Sequence, residues 1–406
     1  MDQIINGILE SPEMNQKQED QFSFQNSHSQ FENTSEDVNA SIAALLRRSL
    51  PRVQMVGCGG AGNNSTARLI RSNIQDVEVL AINTDAQDLL KTLAHKKVLI
   101  GYSVTRGFGA GNDPNIGESA ARESAEELKE LITGDLVFIT AGLGGGTGTG
   151  AAHVLAEIAK EKGALTVSIC TLPFNMEGPV RKTNAIHGLK KLYHASDTVI
   201  VVPNQRLLSL SPDLSLVQGF KIADEILVRA VSAISELITK PQMVNLDFAD
   251  VKKVLGQGGV AMIGLGESKG QSNKVDEAVD DALKNPLLED LDLSTARKAL
   301  ICVSGGEDLS LRDAEQVVSK IQEKIDPSAE IIWGASINEN LKDSIRVIAL
   351  ISDIDSNFEK DGVFQLKNDA QDIAKNLINK NNRFEQSNSA KFLQAQKKKF
   401  FSLFKQ

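Results

Sequence analysis

Residues 142–150 read Gly142-Leu143-Gly144-Gly145-Gly146-Thr147-Gly148-Thr149-Gly150, between an apolar run, Asp135 to Thr140, and a helix-like run, Ala151 to Glu161. A strand therefore feeds a glycine loop that opens a helix. Glycines lack Cβ and accept positive φ, so several N–H groups can turn toward one point where a helix N-terminus leaves its own donors unpaired. Such a point suits an anion: the N–H groups, the helix dipole and the hydroxyls of Thr147 and Thr149 are expected to cradle phosphate oxygens. No lysine follows, so the GxxxxGK[ST] pattern of a P-loop is not matched. The phosphate charge then falls to backbone dipoles and a magnesium ion. A flexible linker shares the glycine content, but not the placing between strand and helix with threonines interleaved.

On the N-terminal side, Arg52 to Val56 reads as a strand that runs into Gly57-Cys58-Gly59-Gly60-Ala61-Gly62-Asn63-Asn64 and a helical stretch to Arg71. Alone this is GxGxxG between strand and helix, the mark of a dinucleotide-dependent oxidoreductase, and Asp85 after the next strand, Val77 to Ile82, stands for its acidic residue. The second glycine loop decides otherwise, since one NAD pyrophosphate needs one such loop. Two loops fit a nucleotide held on two sides. A third glycine turn, Arg106 to Pro114, holds Ala110-Gly111-Asn112 and ends in Asp113-Pro114, an N-cap and first-turn proline that predict a helix to about Leu131. Lys97–Ile100, Leu165–Cys170 and Thr198–Val202 complete a set of strands, the last two apolar at nearly every position as doubly covered strands are. The pattern predicts a doubly wound Rossmann-like α/β domain with ligand loops at the strands' C-terminal ends.

A long helix is predicted over Ile222 to Thr239 from apolar steps of three and four, stopped by Lys240-Pro241. Strands at 260–266, 298–303, 331–334 and 345–351, with helices at 274–284 and 311–325, predict a second, smaller α/β domain joined to the first by that helix. The expected division is an arm, 1–50; a nucleotide domain, 51–218; the central helix, 219–241; a C-terminal domain, 242–355; a linker, 356–390; and a basic amphipathic tail, 391–406. Arm and linker are rich in Asn, Gln, Ser and acids and are expected to be disordered. The arm has neither the basic and apolar regions of a secretory signal nor the acid-poor composition of a transit peptide.

With 41% hydrophobic and 24% charged residues the composition is that of a soluble protein. No apolar run approaches the roughly 20 residues of a membrane span. A net charge of -9 argues against a general nucleic-acid binder. Cys58, Cys170 and Cys302 lie far apart with no CxxC spacing, which predicts neither disulfides nor zinc and points to a reducing cytoplasm.

GGGTGTG at 144–150 resembles the signature of the tubulin/FtsZ GTPase superfamily, and Asn245-Leu246-Asp247-Phe248-Ala249-Asp250 is similar to its FtsZ form, the likeness running from about Arg52 to about Asp355. The resemblance implies a GTPase that binds GTP with Mg2+, releases GDP and polymerises head to tail into the bacterial division ring at mid-cell. It places phosphate contacts on Gly59, Gly60, Ala61, Gly62 and Asn63, on Ala110, Gly111 and Asn112, and on Gly144, Gly145, Gly146, Thr147, Gly148, Thr149 and Gly150. Asp85 joins this set. Ribose contacts fall on Glu177 and Arg181, guanine contacts on Asn64, Asn204, Phe220 and Asp224. The residue types suit: a carboxylate accepts from guanine N1–H and its amine together, an amide pairs with the base edge and an aromatic stacks on it. Asn245, Asp247 and Asp250 are implied to reach the neighbouring subunit's nucleotide and complete hydrolysis; an Asp-x-x-Asp pair also serves as a helix cap or solvated turn.

Two departures stand out. Asn112 replaces the alanine frequent in the family. The C-terminal end lacks the Asp-Ile-Pro-x-Phe-Leu peptide that docks membrane tethers and regulators, leaving residues 391–406 for that role. The alternative function is an FtsZ-like paralogue that binds GTP and co-assembles with little turnover.

Overall fold

The computed structural model describes residues 50–72, 74, 76–210, 216–239, 247–256, 259–269, 273–284, 288, 292–338 and 341–354. Residues 1–49 of the expected arm, Asn245, the 356–390 linker and the 391–406 tail lie outside the described residues.

From Pro51 onward the chain builds β1 (Val53–Cys58), α1 (Gly59–Arg71), β2 (Val77–Asn83), α2 (Ala86–Lys91), β3 (Lys96–Leu99), α3 (Tyr102–Thr105), α4 (Pro114–Glu123) and α5 (Ala125–Leu131). Next come β4 (Leu136–Gly142), α6 (Thr147–Glu161), β5 (Leu165–Leu172), α7 (Pro179–Ala195), β6 (Thr198–Pro203), α8 (Asn204–Leu210) and α9 (Leu216–Thr239). The remainder is α10 (Phe248–Leu255), β7 (Val260–Lys269), α11 (Lys274–Leu283), β8 (Lys298–Gly305), α12 (Leu311–Gln322), β9 (Glu330–Ile337) and β10 (Ser344–Ser352). The ten strands form one sheet in the order β3-β2-β1-β4-β5-β6-β7-β10-β8-β9.

The first six strands are parallel neighbours, and their 3-2-1-4-5-6 order is the doubly wound one. In that order the winding reverses between β1 and β4, which opens a crevice at their C-terminal ends. Both glycine loops leave the sheet there. β10 runs antiparallel to β7 and to β8, which pairs parallel with β9. β6 meets β7 through only two residue pairs, Val199 with Val260 and Ile200 with Ala261.

Every residue of β1 is buried because helices cover both sheet faces, and alternate side chains enter different cores. Val56 and Ile139 join Leu155 and Ile158 of α6; Met55 and Phe138 join Ile226 and Ile234 of α9. The α9 cluster also takes in Leu300 of β8 and Ile348 of β10, so one helix closes a face over both the parallel and the antiparallel strands. Each such large aliphatic side chain contributes about 1.5–3 kcal/mol on burial.

Short helices α2, α3, α8 and α10 add to the expected elements, and three further differences bear on the site. The helix after Pro114 does not run unbroken to Leu131: it breaks at Ser124 (φ -94, ψ 14), whose hydroxyl accepts the Gly101 N–H at 3.1 Å. α9 begins at Leu216, before Ile222, and so carries Phe220 on its first turns. α7 has no counterpart in the periodicity reading.

Candidate functional site

Gly59 opens α1 directly after β1, at φ 71, and a Cβ on it would lie 2.8 Å from the Gly148 nitrogen. The two glycine loops thus meet backbone to backbone, and only glycine permits it. Between them and α9 lies a cleft of about 410 Å³, within the range of ligand pockets. Gly59, Gly60, Ala61, Asn64, Gly145, Gly146, Thr147 and Gly148 line it, as do Glu177, Arg181, Asn204, Phe220 and Asp224. The N-termini of α1 and α6 open onto this space, so their dipoles and unpaired N–H groups favour an anion at that end.

The other end is built for a flat polar group. Phe220 stands edge-on to Phe174, with ring centroids 5.4 Å apart at 77°. The Asp224 carboxylate accepts from the Ser65 hydroxyl at 3.2 Å, and burial pushes its pKa up to about 6 against the opposing pull of Ser65 and Arg68. Asn204 is buried and its Oδ1 has no partner; Asn63 is buried with neither Oδ1 nor Nδ2 paired. An orphaned buried amide costs about 1–3 kcal/mol, and polar groups in this state beside a cleft await a ligand. Asn63 faces an adjoining depression that shares Asn64, Phe220 and Asp224 with the cleft. Arg181 donates to Glu177 at 2.6 Å, and Glu177 also accepts the Phe174 N–H at 2.8 Å, which sets this pair at the cleft wall.

Two expected ligand groups are otherwise engaged. Thr149 does not offer its hydroxyl to the cleft: it is 2% exposed and accepts the Gly144 N–H at 2.8 Å, holding Gly144 at φ 113. Asp85 does not line the cleft either; its carboxylate caps α2 by accepting the N–H groups of Gln87 and Asp88. Thr147 lines the cleft, its hydroxyl 2.6 Å from that of Thr84, a residue no motif singles out.

Gly62, Gly144, Gly150, Ala110, Gly111 and Asn112 do not line the cleft. Ala110 packs on Gly146, and Asn112 adopts φ 64, a left-handed conformation that asparagine tolerates better than alanine. The backbone explains this departure. Asp247 and Asp250 are exposed, at and just inside the start of α10, and neither lines the cleft. The Asp247 carboxylate makes no capping bond, so the cap reading of that residue is not realised. Among the described residues no group of three His, Cys, Asp or Glu is arranged for a metal, and no helix is long and apolar enough to cross a membrane.

The model of the tubulin/FtsZ family GTPase domain matches residues 52–212, and that of the FtsZ family C-terminal domain matches residues 259–355. Cell division protein FtsZ 1 of Pyrococcus horikoshii is 51% identical over 322 residues, 79% of this chain and 86% of that protein. The chain belongs to the tubulin/FtsZ family. The FtsZ 1 of Methanocaldococcus jannaschii is 52% identical over 77% of this chain and 86% of that protein. A solved FtsZ dimer of M. jannaschii superposes with a TM-score of 0.74 at 51% identity, covering 77% of this chain and 91% of that one. A nucleotide-bound CetZ2 protofilament of Haloferax volcanii, at 23% identity and a TM-score of 0.66, shares the fold. These FtsZ relatives are archaeal. The chain is accordingly an FtsZ-family cell-division GTPase.

Proposed function

We propose that the cleft takes GTP with its guanine against Phe220, Asn204 and Asp224, its ribose at Glu177 and Arg181 and its phosphates over the glycine loops, and that hydrolysis is completed by Asn245, Asp247 and Asp250 of the next subunit in a head-to-tail filament. The observation that carries this is the polarity of the cleft: a half-buried carboxylate acceptor at one end and two helix N-termini at the other. Guanine presents adjacent N1–H and amine donors to a carboxylate; adenine presents none. Magnesium enters with GTP as part of the substrate and supplies positive charge across the terminal phosphates. Exposed Asp247 and Asp250 orient the attacking water once a neighbour brings them to the γ-phosphate. An exposed pair that does not line its own cleft is what such a shared site requires.

Filaments of this kind assemble at the mid-cell division ring, and residues 391–406, with Leu393, Phe400, Phe401 and Phe404 among lysines, engage the membrane tethers and regulators. Light scattering and phosphate release over a range of protein concentrations, with GTP, GDP and ATP, test the proposal. Scattering with GTP alone, and turnover per subunit that rises with concentration, are expected. Concentration-independent turnover refutes the shared site, and absence of turnover at every concentration favours the non-hydrolysing paralogue.

A further inference from the structure

α7 begins just past Glu177 and places the half-buried Asn184 in its second turn. The Asn184 side chain donates from Nδ2 to the Asn112 carbonyl at 3.2 Å and to the Gly144 carbonyl at 3.3 Å. An amide carries two N–H bonds, one for each carbonyl. One side chain therefore ties the Ala110–Asn112 loop to the phosphate loop. In a trans peptide the C=O and the next N–H point opposite ways, and no cis peptide occurs among the described residues. Holding the Gly144 carbonyl from α7 thus aims the Gly145 N–H away from α7. Gly145 lines the cleft, and among the described residues no protein acceptor takes that N–H.

We propose that Asn184 is a positioning residue for GTP hydrolysis, holding the Asn112 loop against the phosphate loop and aiming the Gly145 N–H at the phosphate end of the nucleotide, and that it thereby sets the preference for GTP over GDP. This rests on the reading of the cleft as the GTP site. The base-end groups Asn204, Phe220 and Asp224 meet GTP and GDP alike. The Ala110–Asn112 loop packs on Gly146, which lines the phosphate end of the cleft, so its hold on the glycine loop acts at that end and not at the base.

The test compares Asn184→Ala and Asn184→Asp with the unaltered full chain. Alanine is the better helix former, so the first variant keeps α7. Aspartate keeps the shape but replaces two donors with acceptors that face two carbonyls. Affinities for GTP and for GDP are measured separately by displacement of a fluorescent nucleotide, and kcat and KM by phosphate release. Asn184→Ala is expected to weaken GTP about tenfold, the scale of one or two neutral hydrogen bonds, while GDP affinity stays within about twofold; Asn184→Asp is expected to weaken GTP further, and kcat falls in both. A variant that weakens GTP and GDP by the same factor, whatever its thermal midpoint, overturns the inference, and so does an Asn184→Asp protein that behaves as the unaltered one. If the unaltered chain binds neither nucleotide, the reading of the cleft itself fails and the inference goes with it.

Discussion

Asp224→Asn separates the fold from the function of the cleft. The carboxylate sits where burial raises its pKa from 3.8 to about 6. An acid with a raised folded pKa holds its proton longer in the fold than in the open chain, so the nucleotide-free protein loses stability as pH rises from about 4 to about 6 and carries that cost at pH 7. A rise of this size corresponds to at most about 3 kcal/mol, and water at the mouth of the cleft reduces it to about 1–2 kcal/mol. Asparagine keeps the shape and can still accept from Ser65 through Oδ1. It carries no charge, so the nucleotide-free thermal midpoint at pH 7 should rise by a few degrees. Guanine, in contrast, loses one acceptor outright and the charge behind the other, at about 1.5–3 kcal/mol per bond to a charged group, so GTP affinity should fall about a hundredfold or more. XTP, whose C2 oxygen accepts where guanine donates, should recover much of it. In the unaltered protein GTP affinity should fall as pH drops through about 6, when Asp224 takes up its proton. Thermal shift without nucleotide, and fluorescent-nucleotide titration with GTP and XTP as competitors, read both effects. A variant that binds GTP within threefold of normal, or whose nucleotide-free midpoint falls, refutes the assignment of Asp224 to the base.

Thr149→Val strips the acceptor from the buried Gly144 N–H; a cost of about 1–3 kcal/mol should appear as faster amide exchange at Gly144 and weaker nucleotide binding, with Thr149→Ser near normal, and equal behaviour of the two would count against the brace. A Cβ on Gly150 would fall 1.9 Å from the Pro114 carbonyl oxygen, so Gly150→Ala should lower stability to denaturant by about 1–3 kcal/mol or more, and an unchanged midpoint contradicts the close approach of α4 and α6. Asp250→Ala should leave GTP affinity nearly unchanged while turnover drops about a hundredfold or more; parallel losses in binding and turnover would place Asp250 in its own subunit's cleft. Deletion of residues 391–406 should leave turnover and assembly intact and abolish co-sedimentation of filaments with anionic vesicles, so retention of vesicle binding removes the tail from that role.

The doubly wound half was legible because its determinants are local: β1, β4 and β5 are apolar almost throughout, and each glycine loop follows its strand directly. α7 was not. Its fit to α6 is made where Gly188 leaves room for Thr149, a contact of small residues that leaves little amphipathic signature, and so Asn184 went unread. The break at Ser124 depends on an N–H supplied by Gly101, from another part of the chain. Asp85 and Thr149 were expected to face a ligand because aspartate and threonine suit phosphate and ribose sites. Their lone pairs are instead taken by backbone N–H groups within five residues, a competition that composition cannot show. Asp224, Asn204 and Phe220 came only through family resemblance: Phe220 and Asp224 lie one helical turn apart on α9 and Asn204 opens α8, but the glycine loops they face across the cleft come from far earlier in the chain.

The narrow seam between β6 and β7 has a consequence for how the chain is made. All six parallel strands are in hand once Pro203 is synthesised, and α9 follows at once to cover them. β7, from Met262 to Lys269, finds its ladder partner only in β10, where Met262 pairs with Ile351 and Lys269 with Ser344. Throughout the making of that interval, most of β7 is an open edge, longer than the four-residue edge strand β3 at the far end of the sheet. Unpaired edges recruit other chains. Substitutions between residues 270 and 343 are therefore expected to show first as lost yield from the ribosome, before any change in the turnover of the molecules that mature.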